Sequence, residues 1–184
     1  MKKILSLAFL LMLSLSIFAQ RQVTKFLGIP VDGSRTAMIQ KLKAKGFRYN
    51  SYVNALEGKF NGMNVWILVQ TNKNKVWRIA VKYGNNFDKE QIKRQYNSLI
   101  NQFSNNPRYK TFEAEELTDK DDIDQEVSIN KKQYEAHFYQ LPDDENIGNR
   151  SVWFTIKEEP FKCEEYYIVI YYENGYNEAN GEDL

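Results

Sequence analysis

Apolar side chains fall on every second residue along Val65, Ile67 and Val69, again along Trp77, Ile79 and Val81, and a third time along Val152, Phe154 and Ile156. Successive side chains of a strand point to opposite faces, so a period of two fits a strand with one face buried. A chain carrying this signal in several segments separated by short turns has to build an antiparallel sheet and cover one face of it.

Two helical segments are available to do the covering. Ser34 caps a run to about Lys45 in which Met38, Ile39 and Leu42 share one side, with Gly46 at the position after the helix and Phe47 placed to contact Leu42. The second is better signed: Asp88 and Gln91 form a capping box, Phe87 and Ile92 a hydrophobic staple, and Ile92, Tyr96, Leu99, Ile100 and Phe103 recur at helical spacing before Asn105, Asn106 and Pro107 end it. Strand signals after the first helix fall at Phe47–Asn50, Ala55–Asn61, Met63–Thr71 and Val76–Tyr83; after the second they fall at Gln125–Asn130, Gln133–Gln140, Ser151–Glu158 and Glu165–Glu173. Helix then four strands occurs twice, and Glu57-Gly58-Lys59-Phe60 and Asn64-Val65-Trp66-Ile67 find echoes in Glu135-Ala136-His137-Phe138 and Ser151-Val152-Trp153-Phe154. The expected fold is α+β: two tandem helix-plus-four-strand repeats, about 26–84 and 87–174, forming an antiparallel sheet with both helices on one face.

The first nineteen residues stand outside that pattern. Lys2 and Lys3, the apolar run Ile4 to Phe18 and the small Ala19 predict a cleaved export signal over 1–19 and a periplasmic or secreted product with no membrane anchor. Cleavage removes two lysines and no acid, turning a formal charge of +1 into −1. That balance argues against a nucleic-acid partner. Residues 20–174 are expected as one domain and 175–184 as a mobile tail.

Cys163 is the only cysteine, which leaves no intramolecular disulfide; its place near a strand start predicts partial burial. With His137 the only histidine, a Cys163/His137 pair is the one thiol-imidazole combination available. The acidic stretch Glu113–Glu126 lacks the oxygen ligand and glycine a calcium loop needs, having Ile123 and Asp124 there, and reads as a connecting loop. No catalytic, metal-ligating or cofactor motif is present, and the expectation is a non-enzyme without cofactor.

Phe26-Leu27-Gly28-Ile29-Pro30-Val31-Asp32-Gly33-Ser34, the Lys45-Gly46-Phe47 helix end and the paired Val-Trp strands resemble uncharacterised exported proteins common in gut-dwelling Gram-negative anaerobes, as does the Phe18-Ala19-Gln20 junction. More distantly, the element order is similar to β-lactamase-inhibitor protein and the SmpA/OmlA-type envelope lipoproteins. The chain lacks the disulfide cysteines of the one and the anchor cysteine of the other, so this second likeness implies fold and not function.

The face opposite the helices is where a function is expected. It would carry Trp66, Leu68, Arg78 and Lys82 from the first half and Trp153, Thr155, Lys157, Tyr167, Val169 and Tyr171 from the second, with His137 and Tyr139 nearby. Trp66, Arg78, Lys82, Trp153, Tyr167 and Tyr171 are the candidate binding residues, because Trp, Tyr and Arg dominate protein contacts. The expected role is a protein-interaction module of the cell envelope, binding another envelope or secreted protein. A glycan or small-ligand module using the same aromatics is the alternative. A third arrangement, with Glu113–Glu126 or Leu141–Arg150 folded over this face, would turn the aromatics into a second core.

Overall fold

The computed structural model describes residues 21–179. The expected signal peptide lies outside the described residues, as does the end of the expected tail. The elements run β1 (Lys25–Phe26), β2 (Ile29–Pro30), α1 (Arg35–Ala44), β3 (Arg48–Asn50), β4 (Ala55–Phe60), β5 (Met63–Asn72), β6 (Lys75–Tyr83), α2 (Lys89–Ser104), β7 (Tyr109–Glu113), β8 (Glu135–Gln140), β9 (Ser151–Glu158) and β10 (Tyr166–Glu173). β1 and β2 form a small hairpin; the other eight strands make one antiparallel sheet in the order β3-β4-β5-β6-β10-β9-β8-β7. The α+β expectation is met, with the two four-strand runs meeting at the β6–β10 pair.

The helix ends form as their residues dictate. Ser34 Oγ accepts from the Ala37 amide, and at the far end Phe47 N and Gly46 N donate to Leu42 O and Lys43 O, with Gly46 at φ +97°. Asp88 Oδ1 accepts from the Gln91 amide at 2.8 Å while the Gln91 side chain accepts from the Asp88 amide at 3.3 Å, closing the capping box. Both helices lie on the same face of the sheet. Met38, Ile39 and Leu42 of α1 and Ile92, Tyr96, Leu99, Ile100 and Phe103 of α2 are buried against Val65, Ile67, Ile79, Val81, Phe154, Ile156, Ile168 and Ile170. Phe103 stacks on Phe138 and Phe154 with ring centroids 5.0 and 5.7 Å apart, and Tyr96 meets Phe154 edge-on at 5.2 Å. Each fully buried aliphatic or phenyl group contributes roughly 1.5–3 kcal/mol relative to exposure, so this layer is the chief source of stability.

Four expectations need correction. Gln125–Asn130 is no strand: Asp124–Ile129 forms a π-helical turn, closed by Asn130 N donating to Gln125 O. Ile123 and Val127, four residues apart, turn inward together while Ile129 stays exposed, a helical spacing hidden in a short apolar run. The missing strand of the second half is β7, directly after α2; as an exposed edge strand it has no buried face and hence no alternation. Cys163 is an exposed free thiol, because β10 starts only at Tyr166 and the cysteine sits in the preceding loop. Finally, Gly175–Asn177 is a 3-10 turn rather than the start of a loose tail: the Asn177 side chain donates to Val76 O at 2.9 Å and Asp32 Oδ1 at 2.8 Å.

Candidate functional site

The register fixes which side chains share the face away from the helices. Leu68 of β5 pairs with Ala80 of β6, Ala80 with Tyr171 of β10, Tyr171 with Trp153 of β9, and Trp153 with His137 of β8. One row therefore crosses five strands. A second row runs Glu57, Trp66, Lys82, Val169, Thr155 and Glu135.

A bulge supplies what the first row lacks. Gln70 pairs with Arg78, but its neighbour Thr71 pairs with Val76, leaving Trp77 as the extra residue. Val76 then takes the core position that period-two reading gave to Trp77, and is fully buried. Trp77 instead joins Arg78, whose guanidinium carbon lies 4.0 Å from the Trp77 ring centre, 4.9 Å from that of Tyr171 and 5.8 Å from that of Trp153. Arg78 also pairs with Glu173 at 2.5 Å. No letter in the sequence announces this bulge, and it is the reason Trp77 was missed.

Along the row the rings are parallel. His137 and Trp153 have centroids 5.5 Å apart at 13°, and Trp153 and Tyr171 4.2 Å apart at 26°. The order His137, Trp153, Tyr171, Arg78, Trp77 is thus one continuous stack held upright on the sheet. Its outer end is fixed by Glu135, whose carboxylate lies 3.0 Å from His137 Nε2. Beside it is a smaller cluster: Lys82 Nζ sits 3.9 Å from the Tyr167 ring centre and 3.1 Å from Glu159 Oε2, with Trp66 opposite Lys82 in register. All six candidate residues therefore share the face: Arg78, Trp153 and Tyr171 in the stack, Lys82, Tyr167 and Trp66 in the smaller group.

Burial lifts the Tyr171 hydroxyl above its ordinary pKa against the pull of the Arg78 charge, and burial with Glu159 lifts Tyr167. Both phenols are neutral hydrogen-bonding groups at physiological pH.

Neither long connection covers this face. The segment after β7 runs along α2, where Leu117 exchanges two hydrogen bonds with the Asn97 side chain at 2.7 and 2.9 Å. The turn Leu141–Arg150 is folded around the buried Arg150, which donates to Gln140 O, Pro142 O and Asp144 Oδ1, and borders a cleft with Leu99 and Phe103 of α2. The outer-face rings are half-buried by one another, and Leu68 at the end of the row is 39% exposed.

Among the described residues no group of three His, Cys, Asp or Glu is placed to hold a metal ion. The His137 ring packs against Glu135 and Trp153 on the sheet, whereas Cys163 is exposed in the β9–β10 loop, so the structure does not pair the two. Nor is any described helix long and apolar enough to cross a membrane. Comparison with protein-family models, curated proteins and solved structures gives no match.

Proposed function

We propose that the protein is an exported, non-enzymatic interaction module that holds another envelope or secreted protein against the outer face of its sheet. The observation that carries this is the half-buried stack from His137 through Trp153, Tyr171 and Arg78 to Trp77, over which neither described long connection folds. Five strands at about 4.8 Å spacing and roughly 27 Å long give a strip of roughly 650 Å², near the ~800 Å² each partner contributes to a standard interface. Ion-paired Arg78 and Lys82 are pre-positioned by their aromatic neighbours, which lowers the ordering cost of binding. The stack favours a protein over a glycan. Sugars pack on free ring faces, whereas Trp153 has His137 on one side and Tyr171 on the other, and Tyr171 is flanked by Trp153 and Arg78.

The test is capture of a partner from envelope extract on immobilised protein, followed by hydrogen-exchange footprinting of the complex. Trp66→Ala with Trp153→Ala should weaken capture about 30-fold or more, the loss of at least ~2 kcal/mol that a central aromatic pair supplies, without unfolding the chain. Capture that survives the double substitution, or protection that falls outside β5, β6 and β8–β10, overturns the proposal.

We further infer that the two halves arose by duplication. What supports this is that Glu57–Phe60 and Glu135–Phe138 lie on the second strand of their respective runs, and Trp66 and Trp153 on the third. The outer face would then be a doubled surface, with Trp66 and Trp153 as corresponding tryptophans of the two halves and Trp77 added by the bulge.

A further inference from the structure

The helix side of the sheet holds a cleft of about 880 Å³ between the β1–β2 hairpin, the β4–β5 turn, the carboxyl end of α2 and the Leu141–Arg150 turn. That volume is in the range of small-molecule sites. Its apolar lining comes from Phe60, Leu99, Phe103, Ile170 and Tyr172, the last four of them buried.

The charge around it is one-sided. Among the described residues Lys25, Lys59, Arg108 and Arg150 line the cleft, and no aspartate or glutamate does. Arg150 has Asp144 on one terminal nitrogen, while its buried Nη1 has no hydrogen-bond partner. Lys25, Lys59 and Arg108 take part in none of the ion pairs among the described residues. In a chain with nearly equal acids and bases this local excess is a departure from the whole. Amide groups complete the wall: Asn61 donates to Gln102 at 2.8 Å, and Gln140 spans from the Lys25 backbone to the Tyr109 hydroxyl.

We infer that this cleft is a binding site for an amphipathic carboxylate, with its apolar body against Leu99, Phe103, Ile170 and Tyr172 and its anionic head toward the lysines. The carboxyl end of α2 borders the cleft and carries partial negative charge, which disfavours the head at that end. β1 and β4 bring Lys25 and Lys59 to the other wall, with Phe26 and Phe60 rings 5.2 Å apart between them. This site is separate from the outer face, and either can fail without the other.

The probe is dodecanoate below its aggregation limit, titrated by calorimetry and by methyl and aromatic NMR. Saturable binding is expected with shifts at Leu99, Phe103, Ile170 and Tyr172 and none at the Trp66 or Trp153 indoles. Decanoate, two methylenes shorter, should bind about 15-fold more weakly. Lys25→Gln, Lys59→Gln and Arg108→Gln together remove only exposed charges, so the fold persists; dodecanoate should weaken about tenfold while dodecanol is unaffected. Absence of saturable binding up to about 1 mM, a limit that marks no specific site, overturns the inference. So does equal binding of dodecyltrimethylammonium, an unchanged affinity in the triple variant, or shifts confined to the outer face.

Discussion

Trp153 and Phe154 are neighbours on one strand with opposite duties, and truncating each to alanine separates core from surface. Phe154 is fully buried between Tyr96, Phe103 and Phe138, with centroids at 5.2, 5.7 and 6.0 Å. Removing its ring leaves a cavity under α2, and such a change costs ~3–5 kcal/mol. Trp153 keeps an edge in water and makes two ring contacts, with His137 and Tyr171, each worth ~0.5–1.5 kcal/mol beyond area. Its loss should cost about 1–2 kcal/mol. The expected gap is about 2 kcal/mol, a difference of about 1 M in urea midpoint at an m-value near 2 kcal/mol/M. Urea unfolding followed by far-UV circular dichroism reads it directly. Equal midpoints for the two variants would mean that the outer face is packed like a core, and the argument for an open binding surface would fall with it.

Asp88→Ala should destabilise the protein by about 1 kcal/mol through loss of the α2 capping box, and Asp88→Ser should recover most of it, measured in the same urea assay. For Asp124, burial alone would raise the carboxyl, but hydrogen bonds from Lys89 at 3.0 Å and Tyr166 at 2.8 Å outweigh it and hold the group below the usual carboxylate range. Its stabilisation is therefore complete above the unfolded value near about 4 and lost as pH falls through the lower folded value, so Asp124→Asn should flatten the acid limb of stability between about pH 5 and 2. A limb of unchanged slope would show that the Lys89–Asp124–Tyr166 link is not held in solution. Cys163, being exposed, should react with a maleimide as fast in the native protein as in urea, and Cys163→Ser should shift stability by less than about 0.5 kcal/mol. Slow native labelling would place it under the β9–β10 loop.

What the letters revealed and what they hid divide along the range of the interaction. Helix ends are local: Ser34, Gly46, Asp88 and Gln91 act within a few residues of themselves, and each is where its spacing put it. Long half-buried strands are also legible, since β5, β6, β9 and β10 repeat one apolar face over many residues. Features without a buried face left no such trace. β7 is exposed along most of its length, and β1 and β2 are two residues each, joined where Leu27 and Gly28 take φ of +52° and +79°. The cleft could not be read at all, because Lys25, Phe60, Phe103 and Leu141 come from four distant segments and meet only in three dimensions. The outer face lies between these cases. Alternation placed Trp66, Arg78, Lys82, Trp153, Tyr167 and Tyr171 on one side, but parity is conserved only until a bulge resets it. At Trp77 the reset converts an expected core residue into the ring that carries Arg78. A single unpaired residue in β6 thus adds one more ring to the stack on the first-half side of the β6–β10 seam, which Arg78 against Tyr171 already crosses.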